Sequence, residues 1–219
     1  MKVIKQTYGP FSVNTYVLVD EVSNEVIIID PGMYDSQERN AFLELVSIEK
    51  WKPTLLLNTH CHIDHVMGNK FIHDQFGLTP QIHEKAAQVL ERASLSAQMY
   101  GLNYDPSPEG EVSLTHNDEL IFKGNKFQVL FTPGHSPGHV VFYNQKEKYV
   151  INGDVLFQGS VGRTDLPGCS ASDLVRSIQN IMYKLPNETL VYTGHGPETT
   201  IGHEKLTNHF VTASESRLN

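Results

Sequence analysis

The sequence predicts an α/β fold in which two sheets pack face to face with helices outside. Three observations predict it. Both halves of the chain run from strand-like segments through helical ones, with helices separated by sheet segments. Four apolar runs end in histidine or aspartate, three of them at glycine-containing turns, as expected where loops meet at the edge of a rigid sheet. The chain has 219 residues, 39% apolar and 19% charged, an ordinary globular balance, with no linker, low-complexity segment or repeat. One domain over residues 1–219 is expected.

The elements follow in order. Phe11 to Val19 and Val26 to Ile29 read as strands joined by a turn at Asp20 to Asn24, and Asp30-Pro31-Gly32 breaks the run. Ser36 to Lys50 carries a helical apolar stripe at Ala41, Phe42, Leu45, Val46 and Ile48, opened by a capping serine. Thr54 to Leu57 is a strand, Val66 to Phe76 a helix, Gln81 to His83 a short strand and Glu84 to Tyr100 helical, with a surface loop over Gly101 to Gly110. Strands follow at Glu119 to Phe122, Lys126 to Phe131, Val140 to Tyr143 and Lys148 to Ile151. A helix over Ser172 to Leu185 stops at Pro186, Thr189 to Tyr192 is the last strand, and His203 to Val211 is a final helix.

The richest segment is Leu55 to His65, LLLNTHCHIDH, which places His60, His62, Asp64 and His65 directly after an apolar strand. Imidazole and carboxylate suit zinc, iron and manganese. Alternate residues of an extended segment point the same way, so His60 and His62 can grip one ion, while Asp64 and His65, where the chain turns, can reach a second. Three further runs deliver ligand types: FQVLFTPGH ends in His135, YVINGD in Asp154 and TLVYTGH in His195. Calcium would call for more carboxylates and fewer histidines. The two carboxylates of this set offset only part of the charge of two divalent ions, so the site stays Lewis acidic and favours an anionic substrate.

Composition narrows the rest. The net charge is −8 without a lysine or arginine cluster, which argues against a nucleic-acid partner. No stretch is long and apolar enough to span a membrane, and MKVIKQTYGP lacks the apolar core of a secretory signal, so a cytoplasmic location is expected. Two cysteines do not make a disulfide framework. Cys61 should point away from the ligands on either side of it, as a small buried side chain.

The segments THCHIDHVMGN, TPGHSPGHV, NGDVLFQGSVGRTDLPG and TGHGPETTIGHEK resemble the metallo-β-lactamase superfamily, and within it the hydroxyacylglutathione hydrolase, or glyoxalase II-like, branch. The resemblance runs from about Phe11 to about Phe210. It implies a four-layer αββα sandwich, here without the C-terminal helical domain of full-length glyoxalase II. It also implies two divalent metal ions, zinc first and iron or manganese as alternatives. His60, His62 and His135 would hold one ion, Asp64, His65 and His195 the other, and Asp154 would bridge them. The implied reaction is hydrolysis of a small hydroxyacyl thioester such as S-lactoylglutathione by a metal-bridging hydroxide, with Asp64 and Asp154 as the carboxylates at the reaction centre. A leaving thiolate needs little acid help, since a thiol pKa is about 8.5.

Rival functions remain within the resemblance: a mononuclear-iron persulfide dioxygenase, a lactonase, and a non-catalytic metal-binding module. An exported β-lactamase would carry a signal, a flavodiiron protein a glutamate where His62 stands, and an RNase Z-like nuclease basic patches. Asp30 is either the orienting partner of a ligand or a plain turn aspartate. Arg163 either meets a substrate carboxylate or pairs with Asp165 in its own loop. Tyr143 and Tyr192 are expected to pack in the core. His73, His83, His116, His139, His203 and His209 lack ligand context and are expected to be structural or at the surface.

Overall fold

A computed structural model describes residues 1–218. By its internal contacts the chain forms two compact units, one of Met1–Ile82 with Ala87–Ser113, the other of His83–Ala86 with Leu114 onward.

The first unit is built on a six-stranded sheet in the order β1 (Lys2–Tyr8), β2 (Val13–Val19), β3 (Glu25–Ile29), β4 (Lys52–Leu57), β5 (Pro80–His83), β6 (Glu111–Leu114). The pairs β1–β2 and β2–β3 are antiparallel, whereas β3–β4 and β4–β5 are parallel. The central strands are near-continuous apolar runs because both faces are buried. Val17, Val19, Val26, Ile28 and Leu56 pack with Phe42, Phe71 and Ile72 of the helices, while Tyr16, Leu18, Ile27, Ile29 and Leu57, on the opposite face, are fully buried as well. The edge strand β1 escapes prediction because most of its residues are only half-buried and show no alternation. Short β6 escapes for the same reason.

Helix α1 (Ser36–Ile48) matches its apolar stripe, but its cap is Asp35 rather than the expected Ser36. One oxygen of the Asp35 carboxylate accepts the amides of Gln37 and Glu38 at 2.9 Å each, which leaves Ser36 as the first helical residue. The helix expected over Val66 to Phe76 is two pieces, α2 (Ile63–Val66) and α3 (Asn69–Phe76). Gly68 explains the break. Its amide donates to the Pro31 carbonyl at 2.7 Å, and a Cβ there would stand 2.9 Å from that same oxygen. The segment expected to be helical from Glu84 to Tyr100 breaks into a 3-10 turn over Glu84–Ala86, α4 (Ala87–Glu91) and α5 (Ala93–Met99).

The second unit holds β7 (Glu119–Phe122), β8 (Asn125–Phe131), β9 (Val140–Asn144), β10 (Tyr149–Gly153), β13 (Leu190–Thr193) and β14 (Thr199–Thr200), with a small hairpin of β11 (Leu156–Phe157) and β12 (Ser160–Val161). The sheet order is β14-β13-β10-β9-β8-β7. Because β9 runs antiparallel to both β8 and β10, and β13 parallel to β10, the chain leaves β8, β10 and β13 at one edge of the sheet. His135, Asp154 and His195 follow those three strands.

One face of this sheet packs Val141, Tyr143, Val150 and Val191 against Leu174 and Ile178 of α6 (Ala171–Asn180) and Ile201 of α7 (Ile201–Thr207). Helix α6 is shorter than expected and continues as a 3-10 turn over Met182–Lys184 before Pro186. Buried Glu204 accepts hydrogen bonds from Thr199 Oγ1, the Gly159 amide and Asn208 Nδ2, which ties α7 to the β11–β12 hairpin. Among the described residues no helix is long and apolar enough to cross a membrane.

Candidate metal centre

In the first unit, strand pairing ends at Leu57 and the chain bends at Thr59 before His62, the N-cap of α2. The His60 and His62 rings adjoin, with centroids 4.8 Å apart and planes at 89°. The first turn of α2 then brings Asp64 Oδ2 to 3.6 Å from His65 Nε2. The His60 and His65 rings are 4.0 Å apart, so the two predicted pairs adjoin. Asn58 secures this turn. Its Nδ2 donates to the His65 carbonyl at 3.0 Å, and its Oδ1 accepts from Asn69 Nδ2 at 2.9 Å.

Asp30 is the orienting partner. It sits at the end of β3 with φ +52°, and its carboxylate is buried. One oxygen accepts the Thr59 amide at 2.7 Å; the other accepts the Thr59 hydroxyl at 2.6 Å and His65 Nδ1 at 3.0 Å. Asp30, His60 and His65 each offer a ligand-type atom within 4.8 Å of the others. The Asp30 oxygen, however, is spent on His65 Nδ1, the nitrogen that a coordinating imidazole turns away from its metal. Thr59 extends the arrangement. Having donated its proton to Asp30, its oxygen lies 3.1 Å from His60 Nδ1 as an acceptor. Both rings are thus held with the proton on Nδ1 and the lone pair on Nε2.

In the second unit, His135 obeys the same rule through a main-chain group, with Nδ1 donating to the Arg163 carbonyl at 2.9 Å. Its Nε2 is 3.5 Å from Asp154 Oδ2, and His195 Nε2 is 3.5 Å from that same oxygen. These separations are long for hydrogen bonds. They match neighbouring donors on one small cation, since metal–ligand bonds of about 2.0–2.1 Å in tetrahedral array put ligand atoms roughly 3.3 Å apart. Asp154 is 6% exposed, so a charged carboxylate there calls for a positive partner. The donor set fits a divalent metal: nitrogen and carboxylate oxygen only, the imidazoles of His60, His65 and His135 locked at Nδ1, and a carboxylate oxygen shared by two histidines.

Glycine shapes the second cluster at close quarters. Gly153 turns the chain with φ +52° just before Asp154. A Cβ on Gly162 would stand 2.0 Å from the Asp154 carbonyl oxygen and 3.0 Å from His135 Cβ, so only glycine fits between these two residues.

The remaining candidates also have definite places. The Arg163 guanidinium pairs with Asp165, Nε to Oδ1 at 2.7 Å and Nη2 to Oδ2 at 2.9 Å, and holds the Asp165 carboxyl down at about 2. Cys61 is fully buried, and burial together with the negative charge of Asp30 pushes its thiol well above the ordinary range. It is a packed thiol. Tyr143 lies in the core, and Tyr192 makes an edge contact with Tyr149 at 5.6 Å.

The sequence reading missed three contributors. Thr59 carries no motif signal of its own. Gly162 stands within NGDVLFQGSVGRTDLPG without a signal of its own. His139 is structural, one of the two places expected for it, but the contact it makes, with the main chain of Asp154, has no signal in the sequence. The other histidines keep structural or surface places: His83 stacks on Phe131 at 4.4 Å, and His73 Nδ1 lies 3.1 Å from the Leu78 carbonyl.

The family model described as the metallo-beta-lactamase superfamily matches residues 8–195. The chain is 34% identical to the "Probable metallo-hydrolase YqgX" of Bacillus subtilis, covering 96% of this chain and 98% of that one. It is also 34% identical to "Hydroxyacylglutathione hydrolase GloC" of Haemophilus influenzae, covering 93% and 94%. Among solved structures, BLEG-1 B3 metallo-beta-lactamase superposes with a TM-score of 0.88 at 37% identity, covering 96% of this chain and all of that one. TTHA1623 in a di-iron-bound form superposes at 0.85 and 38%, covering 94% and 99%. ETHE1 from Myxococcus xanthus superposes at 0.80 and 28%, covering 99% and 87%. With ligand-type residues at the ends of β4, β8, β10 and β13 and a family match across them all, the chain belongs to the metallo-beta-lactamase superfamily and has its mixed α/β fold.

Proposed function

We propose that this protein is a dinuclear metallo-hydrolase that cleaves small hydroxyacyl thioesters of the S-lactoylglutathione kind. In this reading the seven residues His60, His62, Asp64, His65, His135, Asp154 and His195 hold two divalent ions, with Asp154 shared between them. When bound, such ions supply a water acidic enough to act as a nucleophile near neutral pH and polarise the carbonyl under attack.

The observation that carries the reading is the Asp154 oxygen standing 3.5 Å from both His135 and His195, as a shared ligand would. The chain's own residues do three things. Asp30 and Thr59 hold His65 and His60 in the tautomer that presents Nε2. The Arg163 carbonyl does the same for His135. Asp64 and Asp154 contribute negative charge that offsets only part of the ions' charge, so the centre keeps an affinity for the carbonyl oxygen and for anionic substrates. The thioester is favoured by the likeness to GloC over nearly the whole chain.

The Arg163–Asp165 pair bears on breadth. With its guanidinium already occupied, Arg163 offers a glutathione carboxylate little, and discrimination between glutathione thioesters and shorter ones should be weak.

The likeness to ETHE1, and the iron of the TTHA1623 structure, favour a second reading as an iron-dependent oxygenase acting on persulfides. One experiment separates the two. Purified protein is analysed for metal content and assayed with S-lactoylglutathione, with a glutathione-truncated thioester, and with glutathione persulfide while oxygen is followed. Two ions per chain with thioester hydrolysis is the expected result. One iron with oxygen consumption on the persulfide would replace this reading by the second. A dimetal protein inert towards every thioester would remove the thioesterase assignment and make lactones the next class to test.

A further inference from the structure

We propose that His139 is a positioning residue for the shared carboxylate: it holds the main chain of Asp154 and ties it to the turn that carries His135. The inference rests on the reading of Asp154 as a metal ligand.

The need for such a group comes from the backbone. Strand β10 pairs with β13, but the register shifts between Ile151 and Gly153, and Gly153 turns away with φ +52°. The Asp154 amide therefore lies past the regular ladder at a residue only 6% exposed, where an unpaired N–H costs about 1–3 kcal/mol. His139 supplies the acceptor. Its Nε2 lies 3.0 Å from the Asp154 amide nitrogen. Accepting a main-chain proton fixes the tautomer, so the ring proton is on Nδ1 and is given to Thr132 Oγ1 at 3.1 Å. Both nitrogens are committed, and His139 and Thr132 are each fully buried. This histidine is a fixed neutral acceptor.

The turn between β8 and β9 makes the link rigid. The Thr132 amide donates to the His139 carbonyl at 2.9 Å, which closes the Thr132–His139 segment on itself with His135 inside it. The middle of that turn presents His135 Nε2 to Asp154 Oδ2, and its end at His139 accepts the Asp154 amide proton. The His135–Asp154 spacing is thus set by a closed ring of contacts through one turn. Gly162, pressed against the Asp154 carbonyl and His135 Cβ, bounds the same residues from another side.

The test compares His139→Gln, whose amide oxygen can stand where Nε2 stands, with His139→Leu, which cannot accept. Zinc affinity and stoichiometry are measured by chelator competition, and amide exchange at Asp154 is followed by NMR in the metal-stripped protein. The expected result is a loss of about 10–100-fold in zinc affinity for His139→Leu, the size typical of an orienting partner. The Asp154 amide should then exchange faster, and His139→Gln should restore both to within a few-fold of wild type.

Wild-type affinity in folded His139→Leu would overturn the inference. So would equal losses in both variants, because the acceptor would then not be what matters. Should His139→Leu not fold, Thr132→Val removes the acceptor that fixes the ring; a smaller loss in the same two readouts supports the inference, and none overturns it. Wild type binding a single ion would defeat the dinuclear reading, while the same variants, read on that ion and on the Asp154 amide, would still decide the role of His139.

Discussion

The main-chain carbonyl of Arg163 accepts the Nδ1 proton of His135 at 2.9 Å, while the Arg163 guanidinium turns to Asp165. The residue thus serves the metal centre through its backbone and the surface through its side chain. Arg163→Ala should leave zinc stoichiometry intact and change KM and kcat only slightly, because the guanidinium is already paired with Asp165 rather than offered to substrate. Asp154→Ala should abolish turnover and lower the stoichiometry, because a shared carboxylate is lost. Equal loss of kcat in both variants would give the guanidinium a part in the chemistry.

The same pair makes a second prediction about substrates and pH. Asp165 has its carboxyl depressed to about 2 by Arg163, so any stability it adds is present above the ordinary aspartate value near 4 and is lost as pH falls towards 2. Asp165 is therefore ionised throughout any assay near neutrality, and the exposed pair adds little to stability. Asp165→Asn should free the guanidinium and lower KM for an anionic thioester, with little change for a neutral one. Thioester profiles at low and high salt would read this, since a newly exposed cation acts more strongly at low ionic strength.

Asp30 is the residue whose two readings the structure decides. Asp30→Asn replaces one accepting oxygen by an amide nitrogen, and the carboxylate now accepts from Thr59 twice and from His65 once. One accepted bond must become a clash of donors. Zinc affinity should drop by about 10–100-fold, the usual effect of removing an orienting partner. Unchanged affinity by chelator competition would return Asp30 to the role of a turn residue.

The strands that lead into the candidate site were legible because each carries an apolar run, and the candidate ligands because their residue types stand together just past those runs. LLLNTHCHIDH needed no partner to be read. The edge strand Lys2–Tyr8 was not legible, since half-exposed residues on both faces leave no period to detect. The break in the helix after His65 was hidden because its cause is a contact of Gly68 with Pro31, remote in sequence. His139 was hidden likewise: its partner is a main-chain amide 15 residues away, and a main-chain amide has no sequence signature.

Gly162 permits a sharp contrast with another glycine. Gly162→Ala would set a Cβ 2.0 Å from the Asp154 carbonyl oxygen, and both Asp154 and His135 would have to move. Overpacking of this kind costs about 1–3 kcal/mol or more, and here the displaced groups are two of the proposed ligands. Gly124 has φ +76° in the β7–β8 turn with nothing within 4 Å of an added Cβ. Gly124→Ala should cost about 1 kcal/mol from backbone strain alone and leave zinc binding unchanged. Melting temperature and zinc affinity measured together separate the cases: both should fall for Gly162→Ala, and only the first for Gly124→Ala.

Cys61 stands between the candidate ligands His60 and His62 in sequence, and its chemistry distinguishes packing from ligation. It is fully buried, and both burial and the nearby Asp30 charge raise its thiol pKa, so the reactive thiolate is scarce near neutrality. Cys169 is half-buried, and its Sγ donates to the His135 carbonyl at 2.8 Å. An aromatic disulfide reagent at pH 8 should therefore modify Cys169 slowly and Cys61 not at all in the folded protein. Removing the metal with a chelator should leave Cys61 protected, because fold packing rather than coordination shields it. Unfolding in guanidinium should release both thiols. Modification of Cys61 on chelation alone, with the fold intact by circular dichroism, would make it a ligand and displace the assignment of a purely nitrogen and oxygen donor set.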